Sequence, residues 1–171
     1  KDDWDDSDFD SRLNKIKNHT FIIDIFKKIL EKNKNAILIL IGKEDEKQEI
    51  RLKIKKLGLE NNIIMLGVRD DVNELLMAMD IFLFPSFKEG LPVSVIEAQC
   101  TGLKCFLSDT ITREVDLTGN VEFVSLDKSA EYWADKILEY KNYERKNSYK
   151  AIVDAGYDID YTIKELEEKY V

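Results

Sequence analysis

Residues 62–84 read NIIMLGVRDDVNELLMAMDIFLF, and three elements are legible in that order. NIIML (62–66) is an unbroken apolar run closed by Gly67. Val72, Leu75, Leu76 and Met79 then recur at i, i+3, i+4 and i+7, the stripe of an amphipathic helix, and IFLF (81–84) is a second apolar run stopped by Pro85. Two short apolar strands joined through a helix predict a βαβ unit, and a helical crossover makes the strands parallel.

The same cycle extends in both directions. Towards the N-terminus, AILILI (36–41) ends at Gly42 and reads as a strand buried on both faces. Ile22, Ile25, Phe26 and Ile29 mark a helix over 18–33, and a helix over 45–57 opens on Glu44, Asp45 and Glu46 and closes on Lys53, Lys55 and Lys56, as its dipole prefers. Towards the C-terminus come a helix beginning at Pro92, strands CFLS (105–108) and VEFV (121–124), and a helix over about 129–141 with Ala130, Trp133, Ala134, Ile137 and Leu138 on one face. Segment 143–154 is more polar and reads as an outer covering, and TIKELEEKYV closes the chain with Ile163, Leu166 and Tyr170 on one stripe. Strands alternating with helices predict an α/β fold: a doubly wound, Rossmann-like parallel sheet with helices on both faces. The expected organisation is an acidic lead-in at 1–11 (KDDWDDSDFDS), one domain over 12–156, and a closing helix within 157–171 that packs on this domain or on a partner.

Composition narrows the function. With 44% hydrophobic and 35% charged residues the chain is of globular type, and no apolar run is long enough to cross a bilayer. A cytoplasmic protein is expected, with peripheral attachment to a membrane surface left open. The net charge of −8 argues against nucleic acid as a partner, because that binding needs a basic face. Cys100, Cys105 and the single His19 cannot build a four-ligand zinc site without carboxylates, so the cysteines read as buried reduced thiols. The Walker loop, G-x-G-x-x-G and G-x-S-x-G motifs are all absent.

In parallel sheets of this kind ligands lie beyond the carboxyl ends of the strands. Gly42, Gly67 and the segment Pro85–Glu89 occupy those ends, and the last opens the stretch FPSFKEGLPVSVIEAQCT (84–101). A helix starting at Pro92 leaves free first-turn amides, a seat for an anion such as phosphate. Val93, Ile96, Glu97 and Cys100 share helical spacing, which places Glu97 in or beside the inward stripe. A carboxylate there needs donors, whether ribose hydroxyls, a structural arginine or backbone amides. Glu89 is either an ordinary surface acid or a ligand to a bound molecule. Arg12, Lys15 and Lys17 gather just ahead of the first helix, against its dipole. They form either a solvated patch or the cationic side of an anion site.

Taken together these residues resemble the carboxy-terminal, donor-binding half of GT-B glycosyltransferases, in particular the retaining enzymes of family 4 (group 1). The most specific part is E-x7-E in PSFKEGLPVSVIEA, followed by Gly102 and by LSD at 107–109. The resemblance implies that Glu89, with Gly90, Leu91, Pro92 and Val93, holds the donor sugar and phosphate, and that Glu97 holds the ribose diol. Arg12 and Lys17, five residues apart, have the family's spacing for the diphosphate-binding pair, and LGVRDDVNELL resembles the nucleotide-base loop, which puts Val68 and Arg69 beside the base. Glu89, Arg12 and Lys17 are thus the expected catalytic group. Departures are Ser11 and an acidic run where glycine and an apolar strand usually precede the arginine, and Glu44 in place of a second glycine after Gly42.

The implied activity is retaining transfer of a sugar from a nucleotide-sugar, with uridine the expected base, to a growing polysaccharide or other glycan, or to a lipid-linked acceptor. The wording around SVIEAQ and KNH is similar to bacterial enzymes of capsular and extracellular polysaccharide. No cofactor and no metal are expected, and the acceptor site belongs to an amino-terminal domain outside these residues. The competing readings are a non-catalytic α/β interaction module and a sugar-nucleotide epimerase on the same two-domain fold.

Overall fold

The computed structural model describes residues 16–42, 47–158, 163 and 167–169. Arg12, Lys15, Glu44 and most of the closing helix lie outside them. The described elements run α1 (His19–Lys32), β1 (Leu38–Ile41), α2 (Lys47–Leu57), β2 (Ile63–Gly67), α3 (Val72–Ala78), β3 (Ile81–Phe84), α4 (Val93–Cys100), β4 (Lys104–Ser108), a 3-10 turn (Arg113–Val115), β5 (Val121–Val124), α5 (Ala130–Leu138) and α6 (Tyr149–Asp154). The expected strand and helix alternation is therefore present, with boundaries shifted by a few residues.

All pairings are parallel. β1 pairs with β2, and β3, β4 and β5 pair in that order. Helix α1 packs on α2 and on α5, whereas α4 packs on α3 and on α6, so the helices divide into two layers on opposite faces. Strand β4 shows why both layers hold. Phe106 points into a cluster with Ile25, Trp133, Ala134 and Ile137, while Cys105 and Leu107 point into a cluster with Val95, Ala98, Leu103 and Ile152. Successive side chains of a strand face opposite ways, so a strand apolar at every position serves two cores. A third cluster, with Ile23, Phe26, Ile50, Ile54 and Ile63, joins α1 and α2 to β2.

Two readings are corrected here. All four residues of β1 are only partly buried, against the expectation of a strand covered on both faces. Among the described residues β1 pairs with β2 alone, and its residues also line a cavity. Helix α4 buries Val95, Ile96, Ala98 and Gln99, leaving Val93 and Glu97 exposed. The inward stripe is thus rotated from the expected Val93, Ile96, Glu97 and Cys100, because the small Ala98 and the polar Gln99 fit the close approach to β4 and the 113–118 loop.

Gln99 is buried and fully engaged. Its Nε2 donates to the carbonyls of Val115 (2.7 Å) and Val95 (3.3 Å), and its Oε1 accepts from the Leu117 amide (3.0 Å) and the Thr118 hydroxyl (2.9 Å). Just beyond α4, Gly102 has φ +77, and a Cβ there would lie 2.3 Å from the Lys146 carbonyl oxygen. Both the left-handed backbone and the close approach require glycine.

Candidate active site

The carboxyl end of β3 meets the start of α1. Asn18, with φ 57 in the left-handed region, is buried, and its Nδ2 donates to the Pro85 carbonyl at 3.2 Å. Asparagine is one of the few side-chain-bearing residues that takes this conformation readily. The Phe87 amide donates to the Ile16 carbonyl at 2.8 Å. These two bonds fasten the entry of α1 to the loop after β3. On its other side that loop is held by the Ser108 and Thr110 hydroxyls, both donating to the Ser86 carbonyl, the latter at 3.0 Å. Ser108 of the LSD motif, with Thr110 just beyond it, thus positions the site loop from the end of β4, a role that the sequence reading left unassigned.

This scaffold brings Lys17 and Glu89 together. Lys17 Nζ is 3.7 Å from Glu89 Oε1 and 5.0 Å from the centroid of the Phe84 ring. The Ser86 hydroxyl donates to the same Glu89 oxygen at 3.1 Å and fixes its direction. Between Glu89 and α4, Gly90 and Leu91 are exposed and Pro92 is buried, and Val93, the first residue of α4, is exposed. Pro92 is the N-cap, so the helix begins one residue later than expected. The amides of Val93 and Ser94 belong to its first turn, where a helix leaves donors without intrahelical acceptors. The loop and helix start thus offer a cation, oriented amides and a carboxylate within one turn of chain.

Glu97, one helical turn from Val93, is exposed and lines a cavity of about 820 Å³ together with Lys17, His19, Gly42, Gly67 and Ser94. Exposure corrects the expectation of an inward carboxylate in need of structural donors. Burial, and secondarily the Lys17 charge, push the His19 pKa down, so its imidazole stays neutral near pH 7. Val68 and Arg69 follow β2 and line a separate shallow hollow of about 390 Å³ with Asp70, Asp71, Asn73 and Glu74. Val68 is 69% exposed. Arg69 is forked onto Asp71, with Nε to Oδ1 at 2.8 Å and Nη2 to Oδ2 at 2.5 Å. The structure therefore pairs Lys17 with Glu89, sets Ser94 and Glu97 on the cavity that Lys17 also lines, and has Val68 and Arg69 line a second hollow. Arg12 is outside the described residues. Among the described residues no group of three His, Cys, Asp or Glu side chains is placed to hold a metal ion, and no helix is long and apolar enough to cross a membrane.

The sequence profile of the Glycosyl transferases group 1 family matches residues 9–158, most of the chain. The chain belongs to that family. A putative glycosyltransferase, EpsF, of Bacillus subtilis (strain 168) is 30% identical over 164 residues, which are 94% of this chain and 43% of the relative. This group 1 chain thus spans less than half of that relative's length. Its fold matches Anabaena Alr3699/HepE, solved in complex with UDP, with a TM-score of 0.70 and 21% identity over 90% of this chain and 45% of that one. It also matches the C-terminal domain of the group 1 family protein LpcC from Francisella tularensis, with a TM-score of 0.64 and 25% identity, covering 85% of this chain and 82% of that one. The GT-B fold expected from E-x7-E is thereby established, and the match to an isolated C-terminal domain accounts for the chain's share of the longer relatives.

Proposed function

We propose that this chain is the donor-binding half of a retaining glycosyltransferase, which binds a UDP-sugar and passes the sugar to a glycan or lipid-linked acceptor held by the rest of the enzyme. The observation that carries the reading is the convergence of Lys17, Glu89 and the first turn of α4 beyond the carboxyl end of β3. A sugar nucleotide already contains its leaving group, so the task is to stabilise charge developing on the departing diphosphate. A lysine and helix-start amides aimed at one place do this electrostatically. Glu89, held by Ser86, orients sugar hydroxyls and needs no nucleophilic role. Glu97, exposed beside Ser94, accepts from the ribose diol. Family membership and the UDP found in the HepE complex support the choice of donor.

The lysine is already partnered by Glu89, but its side chain is 44% exposed and the pair is long at 3.7 Å, and solvent-exposed pairs contribute only about 0–1 kcal/mol. An incoming diphosphate can displace the carboxylate at little cost. Thermal denaturation of this chain with UDP tests the proposal. Ligand at about a hundred times its Kd adds about 2.7 kcal/mol, a rise of roughly 5–10 °C for a domain of this size. Glu97→Ala should cut that rise by at least half. No rise at millimolar UDP or UDP-sugar sinks the reading.

A further inference from the structure

Three successive residues fasten the entry of α1 to the loop that follows β3. The Ile16 carbonyl accepts from the Phe87 amide, Lys17 pairs with Glu89, and Asn18 donates to the Pro85 carbonyl. His19 comes next, as the first residue of α1, and lines the cavity that Lys17, Ser94 and Glu97 also line. Its imidazole is partly buried and has no hydrogen-bond partner among the described residues. None of the described side chains buries an unpartnered nitrogen or oxygen, so the ring nitrogens of His19 reach solvent. Helix α1 has no acid in its first turn and no side-chain cap, so its own start does nothing to offset the positive end of its dipole. An imidazole placed here is surrounded by features that disfavour its own positive charge and favour an arriving anion.

Lys17, its partner Glu89, and Glu97 are the charged groups of the site. Lys53 of α2 is bound to the Thr20 carbonyl and to Asp24. On the α5 side Lys28 and Lys32 are held by Glu131 and Asp135, and Lys141 lines the same cavity. Of these groups only Lys17 adds to burial in keeping the imidazole neutral. A diphosphate against Lys17 reverses the sign of that local field, since its two negative charges outweigh one ammonium. We propose that His19 is a further donor-binding residue, a role that rests on the donor reading above: its imidazole meets the diphosphate and takes up a proton from water as it does so, and binding tightens as pH falls. Histidine suits the task because its charge changes near neutral pH, so the ligand recruits a second cation that is absent from the empty site.

The chain has a single histidine, so its ring C–H signal in proton–carbon NMR needs no assignment. Followed against pH, the midpoint of that signal should rise by about one pH unit or more when UDP-glucose is added to saturation. Neither phosphate of UDP-glucose takes up a proton near neutral pH, unlike the terminal phosphate of UDP, so the affinity change with pH belongs to the protein. Calorimetry should find UDP-glucose bound about three- to tenfold more tightly at pH 6 than at pH 8. His19→Gln keeps an N–H donor but cannot charge, so its affinity should vary by less than about 1.5-fold over the same range, an effect that a merely structural histidine would not produce. A midpoint that stays or falls on binding, or a pH dependence retained in His19→Gln, overturns the role of His19 and leaves the donor site standing. The NMR reading follows His19 alone, so UDP takes the place of UDP-glucose there if the glucose is not accepted. Absence of binding by both ligands at both pH values overturns the donor reading and the role of His19 with it.

Discussion

Lys17 and Glu89 neutralise each other in the free protein, and the consequence for ligand binding has opposite signs for the two residues. On the proposed donor reading, Lys17→Ala removes a charge-assisted contact to the diphosphate, and UDP affinity should fall about 10- to 100-fold by titration calorimetry. Glu89→Gln removes the lysine's competitor, so UDP affinity should stay the same or rise about threefold while sugar transfer by the assembled enzyme collapses. A tenfold loss of UDP affinity in Glu89→Gln would contradict the division of roles. His19 makes a separate prediction. Its pKa is lowered in the folded chain, so protons bind the unfolded chain more readily. The stability it contributes is complete above about pH 6.5, the value in an unfolded chain, and is lost as pH falls below that. The Tm difference between parent and His19→Gln should shrink from pH 7.5 to pH 5.5, and a constant difference would disprove the assignment. Glu89 was singled out only through the E-x7-E resemblance, because a loop acid taken alone reads as readily as solvated surface charge. The orientation of Glu97 was not, because counting from Val93 gave a stripe in which Ala98 and Gln99 carried no apolar signal.

At the scale of elements, α4 is the part on which most else depends. Its first turn faces the site, its inner face meets β4, and Gln99 ties it to the loop at 113–118. Gln99→Leu keeps the volume but strands the Val115 carbonyl and the Leu117 amide, and should cost about 2–4 kcal/mol. Calorimetry should show Tm lower by roughly 5–15 °C, and a loss under about 1 °C would show that water or backbone shifts satisfy those groups. Nothing in the sequence marks Gln99, since its partners lie some distance along the chain in a loop whose course was unknown. The strands themselves were readable from AILILI, NIIML and IFLF, because each is a short unbroken apolar run stopped by glycine or proline.

For the whole molecule, the alternation of strands and helices announced the doubly wound class. Strand order was not legible, because AILILI suits a central strand and an edge strand equally. Among the described residues β4 pairs on both edges and is buried at every position, whereas β1 pairs with β2 alone and is partly buried throughout. Local opening should follow that contrast. Amides of Cys105–Leu107 should exchange at least about a hundredfold more slowly than those of Leu38–Leu40. Equal protection would mean that β1 and β2 unfold only with the rest. Cys105 belongs to the same rigid centre. Burial pushes its thiol pKa up to about 12, so thiol reagents should modify the half-buried Cys100 and leave native Cys105 untouched.

The contact between Lys17 and Glu89 also acts as a filter on occupancy. A carboxylate tethered 3.7 Å from the ammonium is present at an effective concentration of the order of millimolar or more, whatever the solution contains. Chloride or a single phosphate offers the lysine one contact and competes against that tether with nothing added. On the proposed donor reading, a diphosphate linked to a ribose and a sugar meets Lys17, the α4 amides and Glu97 at once. On that reading the resting ion pair keeps the site free of the abundant small anions and lets multivalence decide what enters.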